Sequence, residues 1–259
     1  MLSQAEKGGV QNTIQNCVTV LQNDPVLADS IRLNLLSERI DIVKPMGWQR
    51  SGPTLTDTDM MYILRRMEKY GLYSEKRVSA AIRIVANENH YHPIRDYLND
   101  LKWDGTERIS HALHRFLGAA EDELTAEALK IFLLGAIKRV FHPGCKFEMM
   151  LCLVGGQGAG KSSFFRLLAI KDEWFSDDLR RMDDDNVFRK LQGHWIMEMS
   201  EMIATANAKS IEEIKSFLSK QKETYKVPYE THPADRLRQC VFAGTTNRQD
   251  FLPRDRTGN

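Results

Sequence analysis

Residues 155–162 read Gly-Gly-Gln-Gly-Ala-Gly-Lys-Ser, and they follow a continuous apolar run, Met149-Met150-Leu151-Cys152-Leu153-Val154. A buried strand, a glycine-rich loop and a helix opening on Lys-Ser leave few folds open to the chain. Gly155, Gly160, Lys161 and Ser162 satisfy the GxxxxGK[ST] pattern in the context that gives it meaning. Glycines let backbone N–H groups turn inward around a phosphate, and the following helix N-terminus adds partial positive charge. The expectation is that Gly155, Gly156, Gln157, Gly158, Ala159, Gly160, Lys161, Ser162 and Ser163 hold a triphosphate. Lys161 would reach the β- and γ-phosphates, and the Ser162 hydroxyl would ligate Mg²⁺.

Such a loop needs an acid at the end of a neighbouring buried strand. Trp195-Ile196-Met197 leads straight into Glu198, with Glu201 three residues on. Glu198 is expected on the magnesium side and Glu201 beside the attacking water, although the two roles are exchangeable. Asp183-Asp184-Asp185 follows no apolar strand and reads as a solvated loop. Cys240 to Ala243 forms a third apolar strand, tipped by Gly244-Thr245-Thr246-Asn247. Asn247 there would sit by the γ-phosphate and orient water. Asn247-Arg248-Gln249-Asp250 approximates a guanine-reading motif. A GTPase would carry DxxG before it, whereas the nearest match, Asp255 to Gly258, comes afterwards.

Helical spacing dominates to about residue 142, and strands alternate with helices beyond it. A strand pair is expected over Ile31 to Val43 and a loop over Gly47 to Thr58. Helices are expected from Asp57 or Thr58 (with Met60, Met61, Ile63 and Leu64 on one face), around Ser74 to Asn87, and from His92-Pro93. Further helices cover Ile109 to Leu117 and Glu121 to Val140, the latter with Leu124, Ala128, Phe132 and Ala136 inward. His90, Tyr91 and His92 read as satisfied or solvated groups at a helix start. The fold class is α/β: a parallel-sheet core over 143–259 preceded by a mainly helical module over 1–142.

The 259 residues carry a formal net charge of +1, which excludes a general polybasic coat. Four scattered cysteines lack CxxC spacing and read as free thiols in a reducing cytoplasm. No signal peptide opens the chain and no apolar run reaches membrane-spanning length. A soluble cytoplasmic protein is expected.

Several unusual strings recur in fixed order: Asp96-Tyr97-Leu98 with Trp103-Asp104-Gly105, Pro143 to Phe147, the phosphate loop, Trp174-Phe175-Ser176-Asp177 and Glu198-Met199-Ser200-Glu201. Lys215 to Leu218, Tyr229-Glu230, Gly244 to Asn247 and Thr257-Gly258-Asn259 complete the series. From about residue 30 onward the chain resembles the virulence-associated protein E family of phages and genomic islands. Members look like superfamily 3 helicases on an AAA+-like P-loop NTPase core, often behind a primase domain. The resemblance implies Walker A at 155–162, Walker B at Glu198 and Glu201, and sensor 1 at Asn247. It also implies an ATP- and Mg²⁺-dependent homo-oligomer, a hexameric ring in the full-length protein. Members continue past Thr-Gly-Asn with paired arginines, so the resemblance implies a C-terminally truncated core. Arg254 and Arg256 remain as candidates for an arginine reaching a neighbour's γ-phosphate.

Superfamily 3 helicases place a DNA-gripping hairpin between the acids and sensor 1. That interval here runs from Lys215 through Tyr225 to His232. Lysines interleaved with tyrosines suit single-stranded DNA, with Lys220, Lys222 and Lys226 as contacts. The leading expectation is a DNA-dependent ATPase of a phage or mobile-element replication protein, moving on single-stranded DNA. A nucleotide-gated binding module with little turnover is the alternative. A small-molecule kinase would need an acceptor pocket and lid arginines that the sequence does not display.

Overall fold

A computed structural model describes residues 2–4, 8–179, 187–200, 208–225 and 234–248. The chain forms two compact units, Met1–Asn99 and Asp100–Asn259. The change from helices to alternating strands near residue 142 is therefore a change of secondary structure. By contacts, the helices over 109–141 group with the sheet.

The first unit opens with α1 (Ile14–Asn23), whose first turn is capped by the Thr13 hydroxyl accepting from the Asn16 amide. Strands β1 (Ile31–Asn34) and β2 (Arg39–Ile42) then pair antiparallel, as the apolar alternation over 31–43 predicts. Helix α2 (Asp57–Met67) is capped by Thr56, one residue earlier than expected. Thr56 and Asp59 exchange bonds in a capping box. Its buried stripe is Asp59, Ile63 and Met67, spaced by four, whereas Met61 stands 69% exposed. Helix α3 (Glu75–Glu88) lays Val78, Ala81, Ile82, Val85 and Ala86 on a core shared with Cys17, Leu21, Ile31, Ile42 and Met67. Two buried carboxylates serve this core: Asp24 is held by Arg66 and Tyr70, and Asp59 by Arg50 and Trp48. The His90–His92 cluster is satisfied. Tyr91 donates to Asp41, and His92 Nδ1 accepts the Arg95 amide at the start of α4 (Pro93–Asp100).

The second unit begins with α5 (Ile109–Leu117) and α6 (Glu123–Phe141). Phe132 and Ala136 of α6 are buried as expected, while Leu124 is 80% exposed because it lies in the first turn, beyond the core. A four-stranded parallel sheet has the order β3 (Met150–Val154), β8 (Val241–Thr246), β5 (Ile196–Glu198), β4 (Phe175–Ser176). Helices α7 (Lys161–Leu168), α8 (Val187–Leu191) and α9 (Ala208–Ser219) connect it. Strands β6 (Lys222–Tyr225) and β7 (Ala234–Leu237) form a separate antiparallel ribbon. The apolar run 149–154 reads in sequence as a buried strand. Residues 150–153 are only half-buried and Met149 and Val154 are exposed, because among the described residues β3 is an edge strand, hydrogen-bonded to β8 alone.

Strand alternation sorts the side chains. Met197, Met199, Cys240 and Phe242 pack with Val187, Leu191, Ile214, Phe217 and Leu218 on one face. Glu198 and Thr245 have the opposite parity. Three contacts fix α6 to this frame. A Cβ on Gly135 would lie 2.2 Å from the Phe147 ring, so glycine is required there despite its cost in a helix. Arg139, fully buried, donates to the carbonyls of Cys240 (3.0 Å) and Phe147 (2.8 Å). The Trp195 indole donates to the Ala136 carbonyl at 3.0 Å. The four cysteines are free, and burial pushes the Cys152 thiol up to about 11. Among the described residues no helix is long and apolar enough to cross a membrane.

Candidate functional site

Strand β3 delivers the chain into the 155–160 loop, and α7 starts at Lys161. Gly158 and Gly160 take left-handed φ angles of 79° and 81°, which a side chain would strain. Cβ atoms added at Gly155, Gly156 or Gly158 would meet nothing within 4 Å, so the loop curls around open space. Residues 157–163 with Thr245 and Asn247 line a cavity of about 380 Å³. That size lies in the range of small-molecule sites.

Chain topology brings the expected residues to this cavity. Strand β8 lies between β3 and β5, so its tip stands between the loop and Glu198. Lys161 Nζ donates to the carbonyls of Gly155 (2.8 Å) and Gly156 (2.7 Å) and to Asn247 Oδ1 (3.0 Å). Ser162 Oγ donates to Glu198 Oε1 at 2.7 Å. Thr245 Oγ1 donates to the same oxygen. Glu198 is 1% exposed, and its Oε2 has no hydrogen-bond partner. A buried carboxylate oxygen left unpaired is costly, and it calls for a cation or water.

Sequence reading named Asn247 at the strand tip and passed over Thr245. Its role depends on β8 lying beside β5, which the strand's own pattern does not record. Gly155 binds this tip too, its amide donating to the Thr246 carbonyl at 3.2 Å.

Other expected residues lie elsewhere or outside the described residues. Lys220 lies just before the β6–β7 ribbon and sits 3.9 Å from Glu223, over the Phe188 ring. Lys222, on β6, pairs with Asp235 across the ribbon. Glu201, Lys226, the Asp183–Asp185 cluster, Arg254 and Arg256 fall outside the described residues. At the ribbon's base, buried Arg238 donates to Glu223 and to the Phe217 carbonyl, and stacks on Phe217 and Phe242 at 4.5 and 5.1 Å.

No curated protein matches the chain. Solved structures of the NrS-1 C terminal region share its fold at 12–13% identity. An A form apo structure aligns over 84% of this chain and 53% of its own length, with a TM-score of 0.50. An apo structure of residues 305–718 aligns over 95% and 60%, with a TM-score of 0.53. The chain thus spans just over half the length of these structures. The virulence-associated protein E-like domain matches residues 98–259, more than half of the chain, and the protein belongs to that family.

Proposed function

We propose that the 155–162 loop is a P-loop that binds ATP with Mg²⁺, and that the protein is an ATPase module of a phage or mobile-element DNA replication protein. The observation that carries the reading is the convergence on Glu198. The hydroxyls of Ser162 and Thr245, two residues that line the glycine cradle, meet one oxygen of a buried carboxylate whose other oxygen is unpaired. These hard oxygen donors fit Mg²⁺. Among the described residues no three His, Cys, Asp or Glu side chains cluster, so a cation here would share its shell with phosphate oxygens and water. Ser162 and Glu198 would hold the ion, which would supply charge neutralisation for the phosphates.

The chain's own groups supply the rest. Lys161 exchanges its carbonyl bonds for the β- and γ-phosphates, and the 155–160 amides with the α7 N-terminus receive the remaining charge. Asn247, released by Lys161, is free to orient water. Thr245 holds the Glu198 carboxylate in one rotamer. The fold fits the AAA+-like core that the family resemblance implies, and single-stranded DNA is the partner we assign to the β6–β7 ribbon. Lys220 and Lys222 would exchange their carboxylate contacts for phosphates there, with Lys226 as a third contact. A homo-oligomer would set several ribbons around one strand.

ATP hydrolysis with and without single-stranded DNA, at several protein concentrations, tests this reading beside Lys161→Ala. Stimulation that rises with concentration and disappears in the variant is expected. Tight ATP binding without turnover would replace the motor with a nucleotide-gated binding module. Turnover that requires a small-molecule acceptor would make it a kinase.

A further inference from the structure

The first unit carries a surface that the nucleotide site does not use. Helix α2 ends at Met67, one 3₁₀ turn covers Glu68–Tyr70, and Gly71 reverses the chain at a left-handed φ of 75°. Leu72 is fully buried beneath the turn, and α3 starts at Glu75. Ile63 and Met67 before the turn and Val78 and Ile82 after it share one core, braced by α1 and the β1–β2 hairpin. Two helices of one core are thus joined by a connection that reverses at Gly71.

Packing consumes only one face of α3. Along the opposite face run Lys76, Ala80, Arg83 and Asn87, at spacings of four, three and four. Lys76, Arg83 and Asn87 are exposed and Ala80 is partly so. Tyr73, just before the helix, is 69% exposed. We propose that α3 is a recognition helix that enters the major groove of double-stranded DNA. The inference stands apart from the nucleotide reading and does not need it.

Three properties carry it. A 14-residue helix is about 21 Å long, and a helix about 10–12 Å across fits a groove about 12 Å wide. Ala80 at the centre of the stripe allows close approach, while arginine and asparagine are the side chains that read guanine and adenine edges in pairs of hydrogen bonds. The charge is suitable and uncommitted. Arg50 and Arg66 are occupied by the buried Asp59 and Asp24. Among the described residues Arg65, Lys69, Lys76 and Arg83 hold no ion pair, which leaves them for phosphates. Of the nearby acids, Glu75 and Glu88 stand at the two ends of α3, where Glu88 accepts from Gln22, and Glu68 lies in the turn. Ser74 caps α3 without bonding its side chain to the helix, and the α3 N-terminus adds partial positive charge that suits a phosphate.

The test is fluorescence anisotropy of the full chain on a labelled mixed-sequence duplex of about two helical turns, across a salt series. Oligo-dT and a fluorescent ATP analogue serve as separate probes. Lys76→Ala/Arg83→Ala is expected to weaken duplex binding at least tenfold and to flatten the log–log salt slope by about two. Ala80→Glu, a helix-compatible block, is expected to abolish duplex binding with the melting temperature unchanged. All three substitutions should leave ATP-analogue binding at the wild-type level, and Lys161→Ala should leave duplex binding intact. Wild-type duplex affinity in the α3 variants would overturn the proposal. So would equal losses on duplex and oligo-dT, or a wild-type protein that binds no duplex.

Discussion

Ser162 and Glu198 lie 36 residues apart in sequence and meet at 2.7 Å, the hydroxyl opening α7 donating to the carboxylate that ends β5. Neither residue is informative alone. Serine after lysine starts many helices, and a glutamate after an apolar run is commonly solvated. Their contact exists because β8 inserts between β3 and β5 and carries Thr245 to the same oxygen.

Glu198→Gln keeps an acceptor for the two hydroxyls and removes the buried charge. The folded protein should be as stable as wild type or more so, since an incompletely paired buried carboxylate is costly. Magnesium-dependent nucleotide affinity should fall about tenfold or more. Thermal denaturation beside a Mg²⁺ titration of nucleotide binding checks both halves. A variant that binds MgATP as wild type does would remove Glu198 from the site.

Gly135→Ala should destabilise the second unit by about 1–3 kcal/mol, because the added methyl overlaps the Phe147 ring at 2.2 Å. Phe147→Leu in the same chain should recover part of the loss. Urea unfolding of the single and double variants measures the coupling, which an additive result would contradict.

Arg238 and Glu223 form an ion pair whose side chains are 1% and 8% exposed. Arg238→Met leaves the buried Glu223 carboxylate stranded but for Lys220 at 3.9 Å and should cost about 3–5 kcal/mol. Adding Glu223→Gln removes the stranded charge and should restore most of that loss. Equal stability of the single and double variants would show that the pair is electrostatically idle.

Acid should weaken the first unit through Asp59. Desolvation pushes its carboxyl up, but bonds from Arg50, Trp48 and Thr56 outweigh that and hold it well below the ordinary carboxylate range. A folded-state value below the unfolded one adds stability above the unfolded pKa, near 3.9. That stability drains away as pH falls through the window beneath it. The stability difference between wild type and Asp59→Asn should therefore be constant from pH 7 to about 5 and shrink below about 4. Urea midpoints across that series test the sign, and a gap that widens in acid would reverse it.

Much of the site was legible because it is local. The loop 155–162 declares its backbone through glycine spacing, and Trp195-Ile196-Met197-Glu198 declares a buried strand ending in an acid. Thr245 was hidden because its role depends on which strand neighbours which, a long-range choice that periodicity does not record. The half-exposure of β3 has the same cause, since an apolar run does not say that its strand lies at an edge. The two-residue β4 and the polar β6–β7 ribbon lack a run long enough to mark a strand. The Thr56 cap was misplaced by one residue because Asp57 and Thr58 are also good capping types, and only the Asp59 reciprocal bond selects among them.

Calorimetric titration of the protein with ATP in the presence of Mg²⁺, beside Lys161→Ala, reaches the central claim most directly. Saturable one-site binding is expected for wild type, at least tenfold weaker in the variant and weakened likewise by removing Mg²⁺ from wild type. Equal affinity in the two proteins, or no binding by the wild type, would contradict the assignment of the 155–162 loop to a nucleotide.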